Sequence, residues 1–410
     1  MENFLRKAKD SSRKLSILKP EIKSQVLGKM ADNLQKHQNS IMRANQKDIE
    51  AGKVAKLSEA LMDRLMLTPE RINDMTQSLR EIASLGEPTG RILDGWVTPE
   101  GLRIEKVSVP IGVIGIIYES RPNVTSDTAA LCFKSGNVCI LKGGKEAKNS
   151  NIAIAKILQE TLIACQLPKE LISLLPDYSR EGIAKLITMD QFVDLIIPRG
   201  GAALIKYVSE HSSIPVIKHD KGLCHIFLDE SANISQALKI AVNAKCQRTG
   251  VCNAMETLLI HKEIAPLILP KLKHDFDVMH TKLLGCERTR HYIDIAPASE
   301  EDFYTEYLDN ILSIKVVDTI DEAIVHINQY GSGHSDSIIT ERYSHGEKFL
   351  NEVDSACVYI NASTRFTDGS KFGFGAEVGI STSKLHARGP MGINDLTTYK
   401  YKIYGNGNIR

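Results

Sequence analysis

The stretch Lys245-Cys246-Gln247-Arg248-Thr249-Gly250-Val251-Cys252-Asn253-Ala254 carries the side chain best suited to covalent chemistry in this sequence. A small polar loop with a glycine close to the cysteine lets a carbonyl carbon approach the Cys252 sulfur, and a thiolate is both a good nucleophile and a good leaving group. On spacing alone a buried structural thiol is the commoner reading, because cysteine is among the most buried residue types. The chain has 8 cysteines, at 132, 139, 165, 224, 246, 252, 286 and 357, with no C-x-x-C pair and with several inside apolar runs such as Val138 to Leu141. That usage suits reduced thiols in a cytosol, and Cys246 with Cys252 lacks the spacing and the partners of a zinc site, so no metal is expected. Three further places offer polar chemistry. Arg121-Pro122-Asn123 stands just before an expected helix, where Asn123 reads either as a helix cap or as an amide donor, and Arg121 can grip a carboxylate with two parallel bonds. Lys142-Gly143-Gly144-Lys145 follows a strand. Arg199-Gly200-Gly201 opens a helix, where free N–H groups and the helix dipole favour phosphate. No G-x-G-x-x-G follows the first strand, which excludes a standard Rossmann phosphate loop.

These residues need a scaffold, and the periodicity supplies one. Residues 1 to about 86 are helical almost throughout, with a marked start at Thr68-Pro69-Glu70. Residues 91 to 110 read as a β-hairpin around Thr98-Pro99-Glu100-Gly101. From Gly112 strands and helices alternate: strands over 112–117, 138–141, 171–175 and 192–197, and then a second set over 225–228, 257–260, 314–317 and 337–340. Alternation of this kind implies right-handed βαβ crossovers and mostly parallel, doubly wound sheets. The segment 396–404 is an alternating strand without local partners, expected to pair with the 91–110 hairpin or with another subunit. A net charge of +1 offers no general attraction to nucleic acid or to an anionic membrane, and no apolar run reaches the ~20 residues that span a bilayer. The Lys- and Ser-rich start is interrupted by Glu2, Asp10 and Glu21 and reads as an amphipathic helix, not a transit peptide; the expected location is cytoplasmic.

Along nearly its whole length the chain resembles the aldehyde dehydrogenase superfamily. Thr249-Gly250-Val251-Cys252 falls on that superfamily's G-Q-x-C nucleophile loop, and Arg121-Pro122-Asn123 falls on its P-W-N segment. The resemblance makes Cys252 the nucleophile and gives the Asn123 amide, with the Cys252 N–H, to an oxyanion hole. Within the superfamily the γ-glutamyl phosphate reductases are the closer match: Val317 to Ile327 followed by Tyr330 to Ile338, Tyr118 to Thr125, Asn361 to Asp368 and Lys384 to Gly392 all fit that family. Two departures from the oxidising members have a physical reading. His219-Asp220-Lys221-Gly222-Leu223 replaces their E-L-G-G-K segment and has no Glu at the matching place, with Asp220 one step along; a reductase acting on an acyl phosphate has no need of that water-activating Glu. Lys145 replaces a Glu that binds ribose hydroxyls in NAD-using members, and a cation there suits a 2′-phosphate.

The resemblance therefore implies an α/β fold with two doubly wound parallel-sheet domains and a small β flap. A dinucleotide-binding domain spans 1–225, completed by about 362–394; a catalytic domain spans 226–361; a flap of 91–110 and 395–405 implies a homo-oligomer. It further implies NADPH-dependent reduction of γ-glutamyl phosphate to glutamate semialdehyde through a Cys252 thioester. Lys142, Gly143, Lys145, Arg199, Gly200 and Gly201 would hold the cofactor, and Glu306 would contact the nicotinamide ribose, although the Phe-Gly-Pro that usually follows it is missing. Arg121, Ser335, Asp336 and Arg365 are the candidates for the substrate's carboxylate and ammonium groups, each also readable as a surface ion-pair partner. Because an acyl phosphate is short-lived, channelling from a glutamate 5-kinase partner is a hypothesis; the absence of association or kinetic coupling between the two purified enzymes would count against it. The rival readings are an acyl-CoA reductase, which also lacks the hydrolytic Glu, and a non-catalytic oligomeric binding protein.

Overall fold

The strand and helix alternation after residue 112 closes into two parallel sheets, one in each of two units, in a computed structural model that describes residues 1–217 and 221–410. One unit comprises Met1–His219, Gly373–Gly379 and Met391–Arg410, and the other Asp220–Phe372 and Ile380–Pro390.

In the first unit, helices Glu2–Ser16, Pro20–Lys36, Gln38–Val54 and Pro69–Ser84 form the helical lead-in. The last starts as its residues suggest, with Pro69 in the first turn and the Thr68 hydroxyl accepting the Arg71 N–H. The antiparallel hairpin β1 (Ile92–Val97) and β2 (Arg103–Pro110) turns through Gly101, whose φ of 86° a side chain would oppose. The C-terminal strand Thr397–Tyr404 pairs along the whole of β2, from Thr397 opposite Pro110 to Tyr404 opposite Arg103. The parallel sheet contains β3 (Val113–Tyr118), β4 (Val138–Lys142), β5 (Ile172–Leu174) and β6 (Leu195–Arg199) in the order β5-β4-β3-β6. Every residue of β3 is buried, which is why it reads as one apolar run and not as an alternation. The strand order reverses between β3 and β6. In an open α/β sheet that places the ligand crevice at the carboxyl ends of those two strands.

The second unit holds a seven-stranded parallel sheet of β7 (Cys224–Leu228), β8 (Met255–His261), β9 (Lys282–Gly285), β10 (Ala296–Pro297), β11 (Ile311–Val317), β12 (Ser335–Ile339) and β13 (Cys357–Ile360), in the order β10-β9-β11-β8-β7-β12-β13. Ile226 and Leu228 join one apolar cluster and Phe227 between them joins another. Alternate residues of β7 therefore feed separate cores on the two faces of the sheet. The chain does not return to the first unit near 362. Strand β13 is an edge of the second sheet, and the turn Thr364–Phe366 after it is bonded to the loop that holds Cys252, so the chain stays in the second unit to Phe372 and revisits it over 380–390.

Candidate active site

Cys252 lies in the loop between helix Ile234–Cys246 and β8, at the edge of the sheet where β7 and β8 begin. The usual crevice of such sheets is the opposite edge, so this loop must be shaped by its own contacts. Its two ends are tied by an ion pair, Lys245 Nζ to Glu256 Oε2 at 2.7 Å, with side chains only 0% and 1% exposed. Burial outweighs the attraction of Lys245 and pushes the Glu256 carboxyl up to about 7. The Cys252 carbonyl accepts a bond from the Cys224 thiol at 3.2 Å. A Cβ on Gly222 would lie 2.0 Å from that same carbonyl oxygen, so only a glycine lets the two backbones touch. Cys252 itself is half-buried, whereas Cys132, Cys139, Cys224 and Cys357 are buried. Burial raises the Cys139, Cys224 and Cys357 thiols, leaving them poor nucleophiles at neutral pH.

Glu306 belongs to the same cluster. Its Oε1 accepts the Gly222 N–H at 2.9 Å, and burial raises its carboxyl. It thus holds the glycine that touches Cys252, a role that its spacing from that glycine concealed. His219 and Asp220 lie outside the described residues. On the other side of the loop, Thr364 Oγ1 donates to the Asn253 carbonyl at 2.8 Å, Asn253 Nδ2 donates to the Thr367 carbonyl at 2.7 Å, and Arg365 Nε donates to Gln247 Oε1 at 2.9 Å. Arg365 is thereby fixed beside the nucleophile loop.

Ser335 and Asp336 require a correction. Both are wholly buried on β12. The Asp336 carboxylate accepts the His225 backbone N–H at 2.7 Å, lies 3.0 Å from His225 Nδ1 and accepts the Ser355 hydroxyl; Ser335 Oγ bonds Thr367 Oγ1 at 2.7 Å. The Asp336 carboxylate ties β12 to β7 and to the loop before β13, and the Ser335 hydroxyl is taken up by Thr367, so neither side chain is exposed. Ser335 instead belongs to a buried hydroxyl chain through Thr367 to Tyr359 OH that backs the turn Thr364–Phe366.

In the first unit, Asn123 is exposed in the first turn of helix Pro122–Lys134, whose N-cap is Arg121. The cap reading of Asn123 therefore falls. Its Nδ2 donates to Asp127 Oδ2 at 3.1 Å, and burial pushes the Asp127 carboxyl up to about 6. Arg121 is exposed too. The expected cofactor residues fall at the carboxyl ends of adjacent strands, with Lys142 opposite Ile117 and Arg199 opposite Tyr118. Lys145 is exposed in the turn after β4, while Lys142 is buried, with Nζ 3.2 Å from the Gly143 and Tyr178 carbonyls. Gly143 is a glycine because a Cβ would meet Asn151 Nδ2 at 2.1 Å. At the start of helix Ala202–His211 the Gly201 N–H donates to Glu119 Oε2 at 2.8 Å, and a Cβ on Gly200 would lie 2.6 Å from the same oxygen. A carboxylate of the protein itself sits where an anion was expected. This stand-in shows a backbone cradle that suits a phosphate, at the crevice the strand order defines. Glu119, Gly222 and the Lys245–Glu256 pair were not singled out from the sequence, since each acts through a partner remote in the chain or on the far side of a loop.

Comparison with known proteins agrees over the full length. The aldehyde dehydrogenase family matches residues 1–283 and 296–401. A γ-glutamyl phosphate reductase of Nitratiruptor sp. is 65% identical over the whole of both chains. The crystal structure of a γ-glutamyl phosphate reductase from Thermotoga maritima is 44% identical and superposes with a TM-score of 0.97, covering 100% of this chain and 99% of that one. An acetylating aldehyde dehydrogenase from Geobacillus thermoglucosidasius shares the fold at a TM-score of 0.71 with 17% identity, covering 100% and 97% of the two chains.

Proposed function

The chain belongs to the aldehyde dehydrogenase family, and from that membership, together with full-length γ-glutamyl phosphate reductase relatives, we infer that it reduces L-glutamate 5-phosphate to L-glutamate 5-semialdehyde with release of phosphate. It is an oxidoreductase of proline biosynthesis that works with a nicotinamide cofactor. The form we propose is NADP(H). The support is Lys145, an exposed cation in the turn after β4, near the end of the sheet where a 2′-phosphate is expected.

The observation that carries the mechanism is the loop of Cys252, a half-buried thiol tied at both ends by Lys245 and Glu256 and pressed by Gly222. Cys252 Sγ attacks the γ-carbonyl carbon, the C–O bond to phosphate breaks, and the acyl group is left on sulfur as a thioester. Asn123 is the proposed amide donor to the oxyanion, and its orientation is set by Asp127 in the same helix. The cradle at Gly200 and Gly201 would hold the pyrophosphate, so Glu119 must yield its place on the Gly201 N–H. When bound, NADPH supplies the hydride that converts the thioester into the aldehyde, with the sulfur leaving as thiolate. Covalent catalysis of this kind divides one hard displacement into two easier steps.

The test is phosphate-dependent reduction of NADP⁺ by glutamate semialdehyde, run in reverse with the native chain and Cys252→Ala. The expected result is a requirement for phosphate, a preference for NADP⁺ over NAD⁺ and no turnover by the variant. Oxidation that needs coenzyme A in place of phosphate would favour the acyl-CoA reductase, and turnover by Cys252→Ala would remove the thioester from the mechanism.

A further inference from the structure

Two guanidinium groups border the nucleophile loop, and the mechanism above leaves them unused. Arg248 precedes Cys252 within the loop itself, and Arg365 sits in the turn Thr364–Phe366 that is stapled to it. The staple is rigid: Thr364 and Thr367 are wholly buried, and their bonds to Asn253 fix the turn against the residue next to the nucleophile. Arg365 is half-buried and gives its Nε to a neutral amide, Gln247, not to a carboxylate. Its guanidinium is held below its ordinary range, first by burial and next by the like charge of Arg248, while Cys252 and Asp368 act in the opposite sense. Arg365 is bonded to the residue that precedes Arg248 in the nucleophile loop, at 2.9 Å, so the two cations border the same loop as the thiol. Arg248 is exposed and Arg365 half-buried, so an anion bound between them is reached from solvent and offsets the cost of burying the Arg365 charge.

We propose that Arg365 and Arg248 form the phosphoryl subsite, gripping the phosphate of the acyl phosphate while Cys252 attacks. The inference rests on the acyl-phosphate reading above and moves Arg365 from the substrate's amino-acid end to its reacting end. The chemistry favours this placement. In an acyl phosphate a single oxygen joins phosphorus to the attacked carbon, so whatever holds the phosphate must border the nucleophile loop, while the α-carboxylate lies a further three carbons away. Guanidinium forks match phosphate oxygens. As Cys252 Sγ bonds to the carbonyl carbon, the C–O bond breaks and its electron pair departs on the phosphate, where the two guanidiniums stabilise the added charge. In the reverse direction the same pair presents inorganic phosphate to the thioester.

The experiment measures KM for phosphate and for glutamate semialdehyde independently, in the reverse reaction, with the native chain, Arg365→Gln and Arg248→Gln. Loss of one charge-assisted grip should raise KM for phosphate by about 10- to 100-fold while KM for semialdehyde stays within about twofold. A rise in KM for semialdehyde alone would overturn the proposal and place the pair on the α-carboxylate. A second readout needs no turnover: inorganic phosphate should slow iodoacetamide labelling of Cys252, followed by mass spectrometry of its peptide, in the native chain but not in Arg365→Gln. Equal protection in both would also overturn the subsite. If the native chain shows no phosphate-dependent oxidation, the acyl-phosphate reading fails, and the labelling result still decides whether phosphate binds beside Cys252.

Discussion

Replacing Lys245 with Met should make the stability of the second unit depend on pH in a way the native chain's does not. In the fold Glu256 releases its proton at about 7, against an ordinary value of 4.5, because burial dominates. A carboxyl raised on folding contributes stability that is fully present below pH 4.5 and is lost as pH rises, at about 1.4 kcal/mol per unit. In the native chain the loss levels off above about pH 7, where Glu256 is ionised in the folded and unfolded states alike and faces Lys245 at 2.7 Å. In Lys245→Met nothing offsets the burial, Glu256 stays protonated well above 7, and the loss continues at the same slope. The variant should therefore fall behind the native chain by about 2 kcal/mol more at pH 9 than at pH 7. Urea unfolding of both proteins at pH 7, 8 and 9 measures the difference, and effects shared by the two chains cancel. The double variant Lys245→Met, Glu256→Leu should lose the dependence, since a buried pair can be replaced by apolar groups more easily than halved. A deficit that is constant from pH 7 to 9 would refute the reasoning.

Two further outcomes are expected. In Gly222→Ala the new Cβ would lie 2.0 Å from the Cys252 carbonyl oxygen, a clash with backbone that must displace the nucleophile; kcat should fall by about 100-fold with the circular dichroism spectrum unchanged, and near-native turnover would show that this contact does not position the thiol. The sheet of β1, β2 and the C-terminal strand leaves Ile92, Leu93, Trp96, Tyr401 and Ile403 exposed, as a flap that packs on another copy would; Trp96→Glu should lower the sedimentation coefficient towards that of a monomer, and a native chain that already sediments as a monomer would remove the homo-oligomer from the reading.

What could be read beforehand depended on how local its cause is. The strands β3, β4 and β7 are short apolar runs buried on both faces, and the hairpin turn announces itself through Gly101, so these elements were legible. Helix Ala265–Val278 is hard to see in the sequence because Pro270 interrupts its apolar period, and β9 because it has only four residues, the first of them an exposed Lys282. Motif polarity likewise misled at Ser335 and Asp336. A motif records which residue types recur together, but whether a strand residue faces a substrate or a neighbouring strand is set by register, and here β7 and β13 flank β12 on both sides.

By itself, then, the sequence determined the α/β alternation, the membership of the chain in its family and the loop that bears Cys252, because periodicity and motif spacing act over a few residues. Only the tertiary structure decided that Lys245 and Glu256 close that loop, that Gly222 and Glu306 support it, that Arg365 bonds Gln247 within it and that Glu119 occupies the Gly201 N–H. Each of those arrangements joins groups that lie apart along the chain, and such groups acquire their distances, their burial and their charge states when the sheets pack, not before.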